Sequence, residues 1–187
     1  MKPVVFIMAK APRMGLAKTR LARRIGWTAA WRINRALHAL TLRAALGDPR
    51  WRVVLAAAPD PDVKARFGGL WPARVVRTGQ GDGDLGARMG RLMRDVAPAP
   101  VMFIGTDCPG LVRADLAAAV RALRRADGVI GPAEDGGYWL LGLRTGLRPR
   151  PPFAGVRWSG PHAAADTLAN LAPNARIVRL RQLADLD

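Results

Sequence analysis

The chain has 187 residues, half of them apolar and 24% charged, a balance that excludes a disordered polymer and supplies one hydrophobic core, so residues 1–187 read as a single domain. No apolar stretch approaches the roughly 18 residues that span a bilayer, and the N-terminal run Val4–Ala9 is shorter than the core of about 7–15 residues in a secretory leader. The net charge of +16 comes from 26 Arg and 4 Lys spread along the chain, without a basic arm, a paired Cys/His zinc spacing or an aromatic RNA-binding motif; no nucleic-acid partner is expected, and the basic surface suits a small polyanion.

In chain order, Val4–Ala9 is β-branched, aromatic and bounded by Lys10, as a buried strand should be. A loop with Pro12, Gly15 and the cations Lys10, Arg13, Lys18 and Arg20 follows, then the start of a helical pattern. Thr28–Leu46 is a long helix with Thr28 placed as its N-cap after Gly26. Trp51–Ala57 is a strand, Asp60–Phe67 a short helix and Arg74–Arg77 a strand. Leu85–Val96 is a helix with Leu85, Met89, Leu92, Met93 and Val96 on one face. Val101–Gly105 is a strand and Arg113–Arg125 a helix carrying Leu116, Ala119, Val120 and Leu123 inward. Strands at Gly128–Gly131 and Tyr138–Leu143 are joined by the hairpin-like turn Asp135-Gly136-Gly137. The Pro/Arg-rich segment Leu147–Phe153 is a loop. His162–Leu171 is a helix, and Arg176–Leu180 is a last strand. Strand–helix alternation predicts a mainly parallel sheet covered on both faces.

Three clusters fall at carboxyl ends of predicted strands, where open α/β sheets bind ligands. The first is the loop Lys10–Arg20. Gly15 lets backbone approach a phosphate, and Lys18 and Arg20 reach a pyrophosphate from the helix start. The loop has neither the Walker A spacing nor the dinucleotide fingerprint, and an ordinary strand–helix loop with solvated cations explains it equally well. The second is Gly105-Thr106-Asp107-Cys108-Pro109-Gly110. A lone strand-end aspartate is placed to hold Mg²⁺ or Mn²⁺ against phosphates, or to cap the next turn. The third is Gly131-Pro132-Ala133-Glu134-Asp135-Gly136-Gly137-Tyr138, with the only Glu of the chain. Asp135 could complete a metal site or serve as a general base; Asp-Gly is also a common hairpin turn. Between them, Gln80–Met89 reads as a flexible glycine loop closing on a base or sugar, with Asp84 and Arg88 at its helix end; helix capping by Asp84 is the alternative.

The remaining candidates are weaker. His38 lies within a helical pattern, at the surface or in the core. His162 follows Pro161 near Trp158, where an acceptor could bind. Cys108 has no His partner for a thiolate mechanism and is discounted as a nucleophile. As the lone cysteine it forms no intrachain disulfide, which fits a cytoplasmic protein.

The ordered set Lys10-Ala11-Pro12 to Gly15, Lys18-Thr19-Arg20-Leu21, Asp84-Leu85-Gly86-Ala87-Arg88-Met89, Gly105-Thr106-Asp107-Cys108-Pro109, Gly131 to Tyr138 and Trp158-Ser159 resembles a bacterial family of GT-A-like nucleotide-diphospho-sugar transferases, also described as arsenosugar-biosynthesis-type glycosyltransferases. The resemblance covers nearly the whole chain. It implies a GT-A fold, a Rossmann-like three-layer α/β/α arrangement with a mainly parallel mixed sheet. It places the family's basic loop on Lys10, Arg13, Gly15, Lys18 and Arg20, its strand-end aspartate on Asp107, and its acidic-glycine loop on Glu134, Asp135, Gly136 and Gly137. Two departures stand out. Many GT-A enzymes carry Asp-x-Asp at the metal position, whereas Thr106-Asp107-Cys108-Pro109 is closer to the Asp-x-Pro style of nucleotidylyltransferases. The chain also stops at Leu183–Asp187, where relatives often continue through a further acidic segment.

The resulting expectation is a glycosyltransferase with a nucleotide-diphospho-sugar donor. Lys10, Arg13, Gly15, Lys18, Arg20, Asp84 and Arg88 bind the nucleotide and its phosphates. Asp107 and Asp135 hold Mg²⁺ or Mn²⁺, Asp135 serving alternatively as the base. Glu134, Gly136, Gly137, Tyr138, Trp158 and His162 form the substrate and acceptor side. The alternatives are a nucleotidylyltransferase, which would release pyrophosphate from a nucleoside triphosphate, and a nucleotide-binding module that has lost catalysis.

Overall fold

The computed structural model describes residues 1–96, 98–144 and 151–186. Seven strands form one sheet in the order β3-β2-β1-β4-β6-β5-β7. They are β1 (Val4–Lys10), β2 (Arg52–Ala58), β3 (Val76–Gly79), β4 (Val101–Ile104), β5 (Gly128–Pro132), β6 (Tyr138–Leu143) and β7 (Ile177–Arg179). Every apolar run read as a strand contains one, although β3 starts two residues later than Arg74. β1 runs parallel to β2 and β4, β2 to β3, and β5 to β7; β6 is antiparallel to both β4 and β5. The Asp-Gly-Gly turn therefore does join an antiparallel pair.

Alternation along β1 builds the two faces of the sheet. Val5, Ile7 and Ala9 pack with Leu55, Met102, Ile104, Leu42 and Ala45 of α2 (Trp27–Ala45) and Leu116, Val120 and Leu123 of α4 (Arg113–Leu123). Val4 and Phe6 pack on the other face with Ala56, Phe103, Leu141 and Met89, Leu92 and Met93 of α3 (Leu85–Asp95). Phe6 and Phe103 stack there at 5.5 Å between ring centroids. Burial of each such large side chain contributes about 1.5–3 kcal/mol. The three layers follow from these two clusters.

Two short helices complete the set, α1 (Thr19–Ile25) and α5 (Ala163–Ala169). Some expected boundaries move. Thr28 is not the cap of α2: the helix starts at Trp27, and Gly26, with φ 87°, both ends α1 and begins α2 without a side-chain cap. That left-handed backbone favours glycine, so the chain punctuates there by conformation rather than by a hydroxyl. The segment Asp60–Phe67 forms two 3-10 turns, Asp60–Lys64 and Phe67–Gly69, in place of one helix. The C-terminal helix shortens to Ala163–Ala169. The expected loop Leu147–Phe153 falls largely outside the described residues.

β1 lies between β2 and β4, so the chain leaves it to one side toward β2 and β3 and returns on the other side at β4. Such a switch opens a crevice beyond the carboxyl ends of the strands. Because β6 is antiparallel, the loop 133–137 between β5 and β6 lies at that same edge. No helix among the described residues is long and apolar enough to cross a membrane.

Candidate active site

A cavity of about 540 Å³ occupies this crevice. Strand residues Met8, Phe103, Ile104 and Trp139 line it, with Lys10, Ala17, Lys18 and Arg20 from the N-terminal segment. Gln80, Gly83, Asp84 and Arg88 come from the β3–α3 region, and Thr106, Asp107 and Cys108 from the end of β4. Asp135, Gly137 and Tyr138 come from the β5–β6 turn, and Trp158, Ser159 and Gly160 precede α5. Residues from the three sequence clusters thus meet in one space.

The centre of the arrangement is a contact between the first two clusters. Lys18 Nζ lies 2.6 Å from Asp107 Oδ1, and it also donates to the Leu186 carbonyl oxygen. The lysine side chain is 3% exposed while that of Asp107 is 49% exposed. The ammonium is therefore enclosed, and its carboxylate partner still faces open space. Lys18 has φ 57°, a left-handed backbone that is uncommon for a residue with a Cβ. It precedes α1, and that helix is only seven residues long. Charge, rather than a helix terminus, is what this segment offers to an anion.

On the α3 side, the Asp84 carboxylate accepts from the Ala87 N–H at 2.8 Å, so the capping alternative is realised, although the residue also faces the cavity. Arg88 donates to the Gly83 carbonyl at 2.9 Å, and Arg91 to the carbonyls of Gln80 and Asp82. Gly81 and Gly83 both have positive φ, and the Gly81 N–H donates to Asp60 Oδ1 at 2.9 Å. This glycine loop is tied down at several points. Gln80 is buried and its amide donates to the Ala56 carbonyl at 2.8 Å, fixing its side chain at the end of β2.

A strap formed by residues 180–186 crosses the same edge. The Leu180 and Leu183 N–H groups donate to the carbonyls of Ile130 and Pro132, and the Glu134 N–H donates to Leu183 O. Arg181 forks onto Asp115 at 2.6 and 2.7 Å and donates to Gly110 O at 2.8 Å. Burial opposes ionisation of Asp115, but the Arg181 fork and the Val112 N–H outweigh it and hold its carboxyl below the usual range. At the far end the Leu186 N–H donates to Asp107 O at 3.0 Å. The strap brings Asp185 to the cavity. Asp185 and the buried Asn34 of α2 are cavity residues that motif reading missed. The strap has no helical or strand periodicity, and Asn34 is hidden inside an amphipathic helix; the one available signal was a polar residue on the stripe Ala30, Asn34, Leu37, His38, Thr41 that the helix buries.

Several expected site residues are placed elsewhere. The Arg13 guanidinium pairs with Asp62, at 3.0 and 2.9 Å from its Nε, and stacks over Phe67; it does not line the cavity. Gly15 lies in an exposed turn with φ 84°. Glu134 is exposed and contributes its backbone N–H to the strap. A Cβ on Gly136 would meet the Pro161 backbone, so that glycine serves close packing. His162 is exposed beside α5. Like Arg13, the residues Gly15, Glu134, Gly136 and His162 do not line the cavity.

Asp135 accepts from the Gly137 N–H at 2.9 Å and keeps its carboxylate exposed at the cavity. Burial, followed by the charges of Asp185, Asp107 and Asp135, pushes the Cys108 thiol up to about 12, so it stays protonated and is no nucleophile. His38 belongs to the core: its Nδ1 accepts from Trp71 Nε1 at 3.1 Å. Burial, then the charges of Lys18 and Arg35, lowers it to about 4 and keeps it neutral at pH 7.

Among the described residues, no three His, Cys, Asp or Glu side chains cluster closely enough to hold a metal ion by themselves. The donor set fits Mg²⁺ or Mn²⁺ bound in the usual way at phosphate sites, by roughly one or two carboxylates with water and substrate oxygens completing the shell. Asp107, with Asp135 across the cavity, offers those carboxylates.

The family model described as "Uncharacterized protein conserved in bacteria (DUF2064)" matches residues 41–160. The chain belongs to the DUF2064 family. No curated protein matches it. Among solved structures, a Desulfovibrio desulfuricans G20 protein described as a "putative nucleotide-diphospho-sugar transferase" is 27% identical with a TM-score of 0.87, covering 100% of this chain and 83% of that one. A 4-diphosphocytidyl-2C-methyl-D-erythritol synthase from Anaerococcus prevotii DSM 20548 is 10% identical with a TM-score of 0.62, covering 96% and 86%. The Mycobacterium tuberculosis H37Rv protein Rv0371C, complexed with manganese, is 14% identical with a TM-score of 0.53, covering 100% and 91%. The last two share the fold. This DUF2064 chain therefore shares its mixed α/β architecture, a seven-stranded and mostly parallel sheet, with the protein described as a putative nucleotide-diphospho-sugar transferase.

Proposed function

We propose that the protein is a glycosyltransferase that binds a nucleotide-diphospho-sugar in this cavity. The observation that carries the reading is the enclosed Lys18 ammonium against the half-exposed Asp107 carboxylate, in one cavity with Lys10, Arg20 and Arg88. A diphosphate needs compact positive charge held in place before it arrives, and these side chains supply it. A divalent cation held by Asp107, with Asp135 as a second carboxylate, would add charge neutralisation at the diphosphate.

In the transfer step an acceptor hydroxyl oxygen forms a bond to the anomeric carbon. The bond from that carbon to the diphosphate oxygen breaks, and the nucleoside diphosphate leaves with the electron pair. Where Asp107 holds the cation without Asp135, the free Asp135 carboxylate takes the hydroxyl proton. Lys10, Lys18 and Arg20 hold the charge that develops on the departing diphosphate, and removal of one such donor typically costs roughly 10²–10³ in rate. Tyr138, Trp158 and Ser159 form the sugar and acceptor side.

A second reading is favoured by one feature: a single aspartate followed at one remove by Pro109 stands where many GT-A enzymes have Asp-x-Asp. In a nucleotidylyltransferase the phosphate of a second substrate would attack the α-phosphorus of a nucleoside triphosphate and release pyrophosphate. A thermal-shift screen of UDP-, GDP-, ADP- and dTDP-sugars and the four triphosphates, with and without Mn²⁺, identifies the ligand class, because a bound ligand raises the apparent melting point. Product analysis of the hits then decides. Release of a nucleoside diphosphate from a nucleotide sugar supports glycosyl transfer. Pyrophosphate release that requires a phosphorylated acceptor overturns it in favour of the second reading.

A further inference from the structure

Lys18 is doubly committed within the fold. Its ammonium rests 2.6 Å from Asp107 Oδ1 and donates to Leu186 O, and its side chain is 3% exposed. A buried ammonium needs such partners, since losing one without replacement is costly. Asp107, in turn, is tied to the strap through its own carbonyl, which accepts from the Leu186 N–H at 3.0 Å. The carboxylate best placed to hold a divalent cation already has a resident cation, and that cation also fastens the end of the strap.

We propose that Lys18 competes with a divalent cation for Asp107 and thereby makes binding at this position depend on the nucleotide. This inference rests on the cavity being the nucleotide site. A metal ion alone would meet the Lys18 ammonium on the same carboxylate, two like charges a few ångströms apart. A diphosphate changes the balance. Its oxygens give the ammonium a new anionic partner within the cavity, so Lys18 turns from Asp107 to the phosphate and leaves the carboxylate open. In the same movement Leu186 O loses its donor, and the end of the strap loosens. The protein thus takes the metal together with the nucleotide and holds the bare metal weakly.

The test is titration of the full chain with Mn²⁺ alone, following free Mn²⁺ by electron paramagnetic resonance, for the wild type, Lys18→Met, Lys18→Arg and each with Asp107→Asn. Lys18→Met removes the competing charge and is expected to bind Mn²⁺ at least tenfold more tightly than the wild type, whereas Lys18→Arg retains the weak binding. Equal or weaker Mn²⁺ binding by Lys18→Met overturns the proposal. If Asp107→Asn abolishes the binding while Lys18→Met brings no gain, the competition fails and the functional reading survives. If Asp107→Asn leaves the binding unchanged, the metal is not at Asp107 and both fail. Hydrogen exchange on the wild-type chain gives a second test that needs no variant. Mn²⁺ with a nucleoside diphosphate should lower protection in the segment 180–186, and Mn²⁺ alone should not; unchanged protection with both ligands overturns the proposal.

Discussion

The two ends of the C-terminal strap are fastened by different chemistry. At its start, Arg181 forks onto Asp115 and caps Gly110 O, outside the cavity. At its far end, beside the Leu186 N–H bond to Asp107 O, an ammonium is shared between Leu186 O and a carboxylate half open to the cavity. A planar fork saturates its carboxylate and fixes geometry. An ammonium is a compact charge on a flexible stem and can exchange partners. The first end reads as a clamp and the second as a working contact.

The largest expected effect breaks the second end. Asp107→Asn should lower kcat/KM by about 10²-fold or more in the transfer assay, and it should abolish the Mn²⁺-dependent part of the nucleotide thermal shift. Its cost in stability should stay moderate, because the Asn amide oxygen still accepts from the buried Lys18 ammonium, which also keeps Leu186 O as a partner. At the first end the pattern should invert. Arg181→Ala leaves the buried Asp115 carboxylate with only the Val112 N–H, which should cost about 1–3 kcal/mol. At about 2–4 °C per kcal/mol for a chain of this size, calorimetry should show the melting temperature falling by several degrees. If Asp107→Asn unfolds the protein while Arg181→Ala only slows it, the contrast between the two ends is wrong.

A smaller effect concerns the packing beneath Lys18. The His38 imidazole titrates at about 4 in the fold, against about 6.5 when free. The unfolded chain therefore takes up the proton first. The stability that neutral His38 contributes is complete above pH 6.5 and is lost as pH falls to 4. Urea denaturation at pH 7, 5 and 4 should show this slope, and His38→Gln, which keeps an acceptor for Trp71, should flatten it. The smallest expected effect is that of Arg13→Ala. Since that guanidinium is spent on Asp62 outside the cavity, nucleotide affinity should stay within about twofold by calorimetric titration; a tenfold loss would restore Arg13 to the phosphate site.

These contacts also mark how far the sequence could be read. The strands were legible because parallel strands buried on both faces are nearly continuous apolar runs, as in Val4–Ala9 and Val101–Ile104. The edge at which ligands gather followed from alternation of strands and helices, so Lys18, Asp107 and Asp135 could be expected together before any contact was known. What escaped was set by long-range partners. Arg13 and Asp62 are 49 residues apart, and nothing local distinguishes Arg13 from Lys10 or Arg20 in the same loop. The strap is held by hydrogen bonds to β5, Asp107 and Lys18 rather than by a periodic face, so Asp185 gave no pattern. Thr28 had the right chemistry for a cap, but Gly26 had the backbone freedom to end one helix and start the next, and backbone prevailed.

The central claim is that Lys18 and Asp107 grip one diphosphate. A crystal grown with a nucleoside diphosphate and Mn²⁺, with anomalous data collected for manganese, tests it most directly. The account predicts a manganese peak coordinated by the Asp107 carboxylate and by phosphate oxygens, with Lys18 Nζ turned onto the diphosphate. A nucleotide bound away from this cavity, or one bound here while Lys18 stays on Asp107 and no manganese joins it, would contradict the account.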